Sequence, residues 1–245
     1  MELTTILLLF CIFVVAILYS SVGHGGASGY LATMAMFAVP VAVMKPSALI
    51  LNILVSFLSF FAFYRKGHFQ LKLFWPFVVG SFPAAFIGAQ IPLSDSLYKK
   101  ILAVCLLIAI LRMLWSPSNE NDKPVIPFSI PLAIVFGACI GLLSGMIGIG
   151  GGIILTPLLL LLRWTNIKTA AALSALFIFC NSISGLAGLV SKGYVPDSFV
   201  YSIAVVAFAG GLLGSWLGST KYSLKTLTYS LAVGLMIASV KLFLT

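Results

Sequence analysis

Long apolar runs separated by short polar stretches follow one another along the whole chain. The longer runs cover residues 5–20, 49–64, 74–91, 101–114, 131–147, 170–190, 199–217 and 224–244. A helix of about 20 apolar residues crosses the hydrocarbon core of a bilayer. The pattern therefore predicts an all-α polytopic membrane protein, embedded in the cell inner membrane with many passes.

Two shorter apolar runs, 29–43 and 153–162, each follow a dense glycine cluster. The first cluster is Val22-Gly23-His24-Gly25-Gly26-Ala27, and it returns 125 positions later as Ile147-Gly148-Ile149-Gly150-Gly151-Gly152. Glycine costs about 1 kcal/mol relative to alanine inside a helix. The clusters therefore predict helices broken at matching places, and in transporters such paired breaks point to the substrate site.

The second half of the chain repeats further features of the first. Ser47-Ala48-Leu49 matches Ser174-Ala175-Leu176, and Lys66-Gly67 matches Lys192-Gly193. We therefore expect two homologous repeats of about five apolar segments each. Residues 1–115 form the first repeat and residues 128–245 the second. The polar stretch 116–127, rich in Pro, Asn, Ser and charged residues, is typical of a linker.

The charges in the loops favour one of two topologies. If all ten segments cross, the repeats are inverted, whereas eight crossings with re-entrant second segments make them parallel. With ten crossings, one face collects Arg65, Lys66, Lys72, Arg112, Lys123, Arg163, Lys168, Lys221 and Lys225, and the other collects Lys45, Lys99, Lys100, Lys192 and Lys241. Eight crossings divide the same charges evenly. By the positive-inside rule we expect inverted repeats with both termini outside.

Composition narrows the possible partners. The chain is 61% apolar and 8% charged, whereas a soluble domain carries about a quarter charged residues. The net charge of +9 comes from short loops, where basic residues orient a membrane protein, so we expect no nucleic-acid partner. The four cysteines show no CxxC spacing, and we expect no metal and no cofactor. The oligomeric state stays open.

The distribution of acidic residues favours an anionic substrate. All five Asp and Glu residues lie at a terminus, in the linker or at a segment edge, whereas intramembrane acids usually mark cation paths and proton relays. An anion can instead be held by the exposed N–H groups and the positive dipole end of a helix N-terminus. We expect a small-anion site between the two repeats.

The candidate site combines the glycine clusters with polar residues on nearby segments. It consists of Gly23, His24, Gly25, Gly26 and Ser28; Gly148, Gly150, Gly151, Gly152 and Thr156; and Asn52, Ser56, Ser174, Asn181 and Ser182. His24 either bonds an oxyanion, relays a proton or caps a helix end. The intramembrane Asn and Ser residues alternatively serve as interhelical hydrogen bonds.

Other residues near these segments fit simpler interpretations. The spacing of Gly141-x-x-x-Gly145 and Gly214-x-x-x-Gly218 is typical of close helix packing. Lys45 and Lys168 each precede the third apolar segment of their half. We interpret both lysines as interfacial anchors first and as anion attractors second.

The duplicated apolar-Gly-x-Gly-Gly-Gly/Ala element, followed by Ser-Ala-Leu and by Lys-Gly, resembles the TauE/SafE family of sulfite exporters. The resemblance covers nearly the whole chain, and residues 148–157 match the family pattern best. It implies export of sulfite or an organosulfonate such as sulfoacetate by alternating access, with proton coupling as one option. An anion channel and an importer of related anions are alternatives. An enzyme is disfavoured, because it needs a nucleophile and a base, or metal ligands, facing a cavity. The chain has only two histidines, one of them expected in a loop, and no intramembrane acid accompanies them.

Overall fold

A computed structural model of the protein describes residues 3–21, 25–114, 126–218 and 239. The described residues form helices without any strand: α1 (Leu3–Ser21), α2 (Ala27–Met36), α3 (Val41–Arg65), α4 (Leu71–Gln90), α5 (Asp95–Leu114), α6 (Ile130–Ile147), α7 (Gly152–Leu161), α8 (Ile167–Val190) and α9 (Ser198–Gly218). Of these, α1, α3, α4, α6, α8 and α9 are long and apolar enough to cross a membrane. The prediction of an all-α membrane protein with many passes is confirmed.

Several helices begin earlier than the apolar runs suggest. α3 begins at Val41, eight residues before its predicted apolar run, and contains Pro46. α5 begins at Asp95, six residues before its predicted apolar run. α8 begins after Asn166, whose side chain accepts a 3.0 Å hydrogen bond from the Thr169 amide. Polar groups mark the starts of α5 and α8, whereas α3 begins after Pro40 without a side-chain cap. A helix can extend beyond the part that meets lipid, so its start need not coincide with that of the apolar run.

The tenth predicted run, residues 224–244, lies outside the described residues except for Ser239. This serine is buried, and its hydroxyl donates a 3.2 Å hydrogen bond to the Ala103 carbonyl of α5.

Glycines bring α4 and α6 into backbone contact. Gly141 lies directly against the Ser81 carbonyl, and Gly145 lies against the Ala85 carbonyl. From the first contact to the second, the residue number rises by four on each helix, so the two helices run in the same direction. These contacts confirm that the Gly141-x-x-x-Gly145 pattern serves close packing.

The same arrangement joins α1 and α9. A Cβ atom placed on Gly210 would lie 2.6 Å from the Phe13 carbonyl oxygen, and Gly214 lies against the Ile17 carbonyl. α1 and α9 therefore also run in one direction, and Gly214 is a packing residue as its pattern predicts.

Contacts between α4 and α8 fix the directions of the remaining long helices. The Ser184 hydroxyl donates a hydrogen bond to the Phe82 carbonyl. A Cβ atom placed on Gly188 would lie 2.5 Å from the Phe86 carbonyl oxygen. α4 and α8 therefore run the same way. The loops 66–70 and 191–197 are too short to cross a membrane at about 3.5 Å per residue, so α3 opposes α4 and α9 opposes α8. Thus α4, α6 and α8 run in one direction, and α1, α3 and α9 in the other.

These directions divide the charged loops between two faces. We call the face where α3 begins the upper face and the face where α3 ends the lower face. Among the described residues, Lys45, Lys99, Lys100 and Lys192 belong to the upper face, and Arg65, Lys66, Lys72, Arg163 and Lys168 belong to the lower face. This grouping is the one that ten crossings predict. Which face is cytoplasmic stays a prediction, as do the duplication and the boundaries of the two repeats.

Two short helices carry the chain back across the molecule. α1 and α3 run in the same direction, so residues 22–40 must return the chain between them. Residues 148–166 do the same between α6 and α8. Each return contains one helix of ten residues, which is about 15 Å long and spans about half of the hydrocarbon core. We call α2 and α7 the half-helices.

Candidate functional site

Left-handed glycines precede both half-helices. Gly26, at the N-cap of α2, has φ 88°, and Gly151, at the N-cap of α7, has φ 80°. Gly148 and Gly150 also have positive φ, at 88° and 79°. Neither N-cap carries a side-chain hydrogen bond. The first turns of both half-helices therefore begin without a capping side chain.

The two glycine clusters meet at the same pair of side chains. A Cβ atom at Gly25 would lie 2.9 Å from Ile178 Cγ2 and 3.1 Å from Asn52 Oδ1. A Cβ atom at Gly150 would lie 2.7 Å from Ile178 Cγ2 and 2.8 Å from Asn52 Nδ2. Asn52 and Ile178 lie near the middle of α3 and α8. The two clusters therefore converge about halfway across the molecule.

Both half-helices point their N-termini at this central point. α2 extends from Gly26 towards the upper face, where α3 begins, and α7 extends from Gly151 towards the lower face, where α8 begins. Each N-terminus carries the positive end of the helix dipole and several unpaired backbone N–H groups. Two opposed N-termini at one point create a positive potential without a charged side chain.

Four fully buried polar side chains lie near the middle of α3 and α8. Asn52 and Ser56 lie one turn apart on α3, and Asn181 and Ser182 lie on α8. Neither amide and neither hydroxyl has a hydrogen-bond partner among the residues that the structure describes. An unsatisfied buried polar group costs about 1–3 kcal/mol. Four such groups at one level are unusual in a folded protein and indicate a place for a polar ligand.

Two contacts show that these four residues lie at one level. α3 and α8 run in opposite directions, with Leu49 beside Gly185 and the Phe57 ring 5.4 Å from the Phe179 ring. On α3, Asn52 and Ser56 lie between these contacts, and on α8 so do Asn181 and Ser182. The four polar side chains therefore belong to one layer, which we call the central polar layer.

Other predicted residues contact protein groups nearby. The Ser28 hydroxyl shares a 2.7 Å hydrogen bond with the Tyr19 hydroxyl, and the Thr156 hydroxyl shares one of 2.7 Å with Ser174. These two pairs hold each half-helix to a neighbouring long helix. The hydroxyls of Ser28, Thr156 and Ser174 therefore have a structural role in the described arrangement.

The remaining glycines have different neighbours. Gly26 lies against the ring of Tyr30, Gly151 against Ile140 and Phe177, and Gly152 against Ile178 and the Ser174 carbonyl. A Cβ atom placed on Gly148 would lie 3.0 Å from the Lys45 carbonyl oxygen. The predicted residues Gly23 and His24 lie outside the described residues. Gly25 and Gly150 are thus the cluster glycines that reach Asn52 directly.

Sequence reasoning missed one residue at this site. Ile178 lies beside the same glycines as Asn52, and its apolar side chain gave no signal. Lys45 was expected to precede its helix, which is wrong, because it lies in the second turn of α3, where its Nζ donates a 2.9 Å hydrogen bond to the Ala89 carbonyl. Its interpretation as an interfacial anchor first and an anion attractor second stays a prediction. Lys45 and Asn52 are seven residues apart, or about two turns. This spacing places both on one face of α3.

Comparison with known proteins identifies the family. A family model described as "Sulfite exporter TauE/SafE" matches residues 8–242. The chain belongs to this family. The probable membrane transporter protein y4hK of Sinorhizobium fredii is 33% identical over 245 residues, covering 99% of both chains. The probable membrane transporter protein YdhB of Bacillus subtilis is 25% identical over 225 residues, covering 87% of this chain and 88% of its own. No solved structure matches the chain.

Membership defines the general class of the protein. It is a multi-pass membrane transporter of the TauE/SafE family, with the lipid bilayer around it and a small molecule as its substrate.

Proposed function

We propose that this protein exports a small sulfur-containing anion, sulfite or an organosulfonate such as sulfoacetate, by alternating access. One observation carries the proposal: two glycine clusters from opposite halves of the chain meet at Asn52, in a layer of buried polar groups that have no described partner. The family description, which names sulfite exporters, supports the choice of substrate class. The protein acts as a carrier and not as an enzyme.

The groups at the centre suit an oxyanion. Asn52 and Asn181 each offer an amide NH₂ with two donors, and Ser56 and Ser182 each offer a hydroxyl donor. The half-helix N-termini add backbone N–H groups and a positive dipole end. Sulfite and sulfonates present oxygen acceptors to all of these donors. Glycine at positions 25 and 150 lets a ligand approach the backbone without meeting a Cβ atom.

Burial of the layer favours a carrier over a channel. Asn52, Ser56, Asn181 and Ser182 have no exposed surface, so a ligand reaches them only if the helices around them move. α3 and α8 come from opposite halves of the chain, and their interface contains the layer. Rocking of one half against the other would open the layer to each face in turn. Proton coupling then rests on the substrate's own proton or on His24.

The first experiment measures uptake of radiolabelled sulfite into proteoliposomes that contain the purified protein. Sulfate, chloride, sulfoacetate and taurine serve as competitors, and preloaded vesicles test for counterflow. We expect saturable sulfite transport with counterflow, inhibited by sulfoacetate and little affected by chloride. Flux that does not saturate and lacks counterflow would instead identify a channel.

A matched pair of variants ties this activity to the central polar layer. Ser56 and Ser81 are both fully buried serines without a described hydrogen-bond partner, but Ser81 lies at the contact between α4 and α6. Ser56→Ala should weaken sulfite transport, and Ser81→Ala should leave it near the wild-type rate. Equal transport by both variants, or equal loss, would contradict the proposed site.

A further inference from the structure

We propose a second anion-binding site on the upper face, in a cavity built around Lys45, which holds the substrate anion on its route between the central polar layer and the upper face. The inference rests on the proposed function, since it assigns a route to the same substrate. It adds a charged binding group to a transport route whose central polar layer offers only neutral donors.

The cavity has a volume of about 520 Å³ and forms where five helix ends meet on the upper face. Its walls come from the start of α3, the ends of α4 and α6, the start of α5 and the end of α8. Lys45 and Lys192 line it together with one carboxylate, Asp95, and two phenols, Tyr98 and Tyr194. The cavity has room for a small organosulfonate with its hydration water.

Lys45 can accept an anionic partner at this place. Its Nζ makes one hydrogen bond, to the neutral Ala89 carbonyl, although an ammonium group has three donors. No ion pair joins Lys45 or Lys192 to a carboxylate within the part of the chain that the structure describes. The side chain of Lys45 is half-buried, which reduces the screening of its charge by water and salt.

Lys45 and the central polar layer lie against one glycine loop. A Cβ atom placed on Gly148 would lie 3.0 Å from the Lys45 carbonyl oxygen and 3.4 Å from Lys45 Cγ, and Gly150 lies against Asn52. A single residue, Ile149, separates these two glycines along the chain. Below Lys45, Asn52, Ser56 and Ser59 continue along the same face of α3, and all three are buried without a described partner.

The described basic side chains of the lower face differ from Lys45 in burial. Arg65, Lys66, Lys72, Arg163 and Lys168 are all exposed, whereas Lys45 is half-buried in the wall of the cavity. Among the described residues, a half-buried basic side chain in a cavity wall is therefore a feature of the upper face and not of the lower face.

Transport kinetics test the proposal against a purely structural role of Lys45. Lys45→Gln should raise the KM for sulfite taken up from the upper face about fivefold, the size of a screened interaction between unit charges about 8 Å apart. kcat should change little, and Lys45→Arg should restore the KM. Lys168→Gln removes an exposed lysine from the lower face and should leave this KM unchanged. An unchanged KM in Lys45→Gln would overturn the proposal and leave the proposed function standing.

A labelling experiment decides the point without transport. Ala42→Cys places a thiol in the cavity wall, in a background where the four native cysteines are replaced by alanine. The thiol should react faster with an anionic sulfonatoethyl than with a cationic trimethylammonioethyl methanethiosulfonate, after correction by their rates with a free thiol. Adding Lys45→Gln should lower this corrected ratio about fivefold, and sulfoacetate, which does not react with these reagents, should slow the anionic reaction. A ratio that Lys45→Gln does not change would overturn the anion site at Lys45, even where sulfite transport is absent.

Discussion

The middle of α3 and the middle of α8 face the same two glycine clusters with opposite chemistry. Asn52 lies on α3 and Ile178 on α8, and Gly25 and Gly150 lie against both. The amide of Asn52 has no described partner, whereas Ile178 is an apolar wall. Both glycine clusters thus meet a polar side chain from α3 and an apolar side chain from α8.

Replacing Asn52 should have the largest effect on function. Asn52→Leu removes both unpartnered polar atoms but keeps a side chain of similar size. We expect sulfite transport to fall at least a hundredfold, because the ligand loses its central donors. The melting temperature should stay level or rise, because an unsatisfied buried amide costs about 1–3 kcal/mol. A large drop in melting temperature together with the lost activity would point to a structural role for Asn52.

The next largest effect should come from adding a side chain to a glycine of one cluster, and the chain offers a matched control for this change. Gly150 and Gly193 both have positive φ, 79° and 86°. A Cβ at Gly150 would lie 2.7 Å from Ile178, whereas nothing lies within 4 Å of one at Gly193. Gly193→Ala should cost only the backbone strain of about 1–2 kcal/mol and keep transport. Gly150→Ala should abolish transport and destabilise the protein further, as measured by thermal unfolding in detergent and by sulfite uptake.

A double-variant cycle can test whether Ile178 is the side chain that a larger residue at position 25 would meet. A Cβ atom placed on Gly25 would lie 2.9 Å from Ile178 Cγ2. Gly25→Ala should reduce transport, and the additional change Ile178→Ala should restore part of it by removing that methyl group. Additive losses in the double variant would show that Gly25 and Ile178 do not interact.

The smallest effects should come from the bonds that hold the half-helices. Tyr19→Phe breaks the hydroxyl pair with Ser28 in the first half, and Ser174→Ala breaks the pair with Thr156 in the second. Each change should lower stability by about 1 kcal/mol and reduce the transport rate only a few fold. A complete loss of transport in either variant, with normal stability, would move that hydroxyl from the supporting structure into the binding site.

Much of the fold could be predicted because the membrane restricts the choice. Lipid offers no hydrogen bonds, so long apolar runs must be helices, and the glycine density at residues 23–26 and 148–152 indicated where helices break. The candidate list was less selective. Asn52, Ser56, Asn181 and Ser182 share a layer, but Ser28, Thr156 and Ser174 are engaged in hydroxyl pairs.

By itself, the sequence determined which segments are helices and where two of them are interrupted, because hydropathy and glycine content act locally along the chain. Only the tertiary structure decided that both interruptions meet at Asn52 and Ile178, and that Lys45 lies inside α3 beside a cavity. These facts depend on the relative directions of helices far apart in the chain. Those directions follow from close backbone packing at glycines such as Gly145 and Gly214, and no local pattern encodes which helix will be the partner.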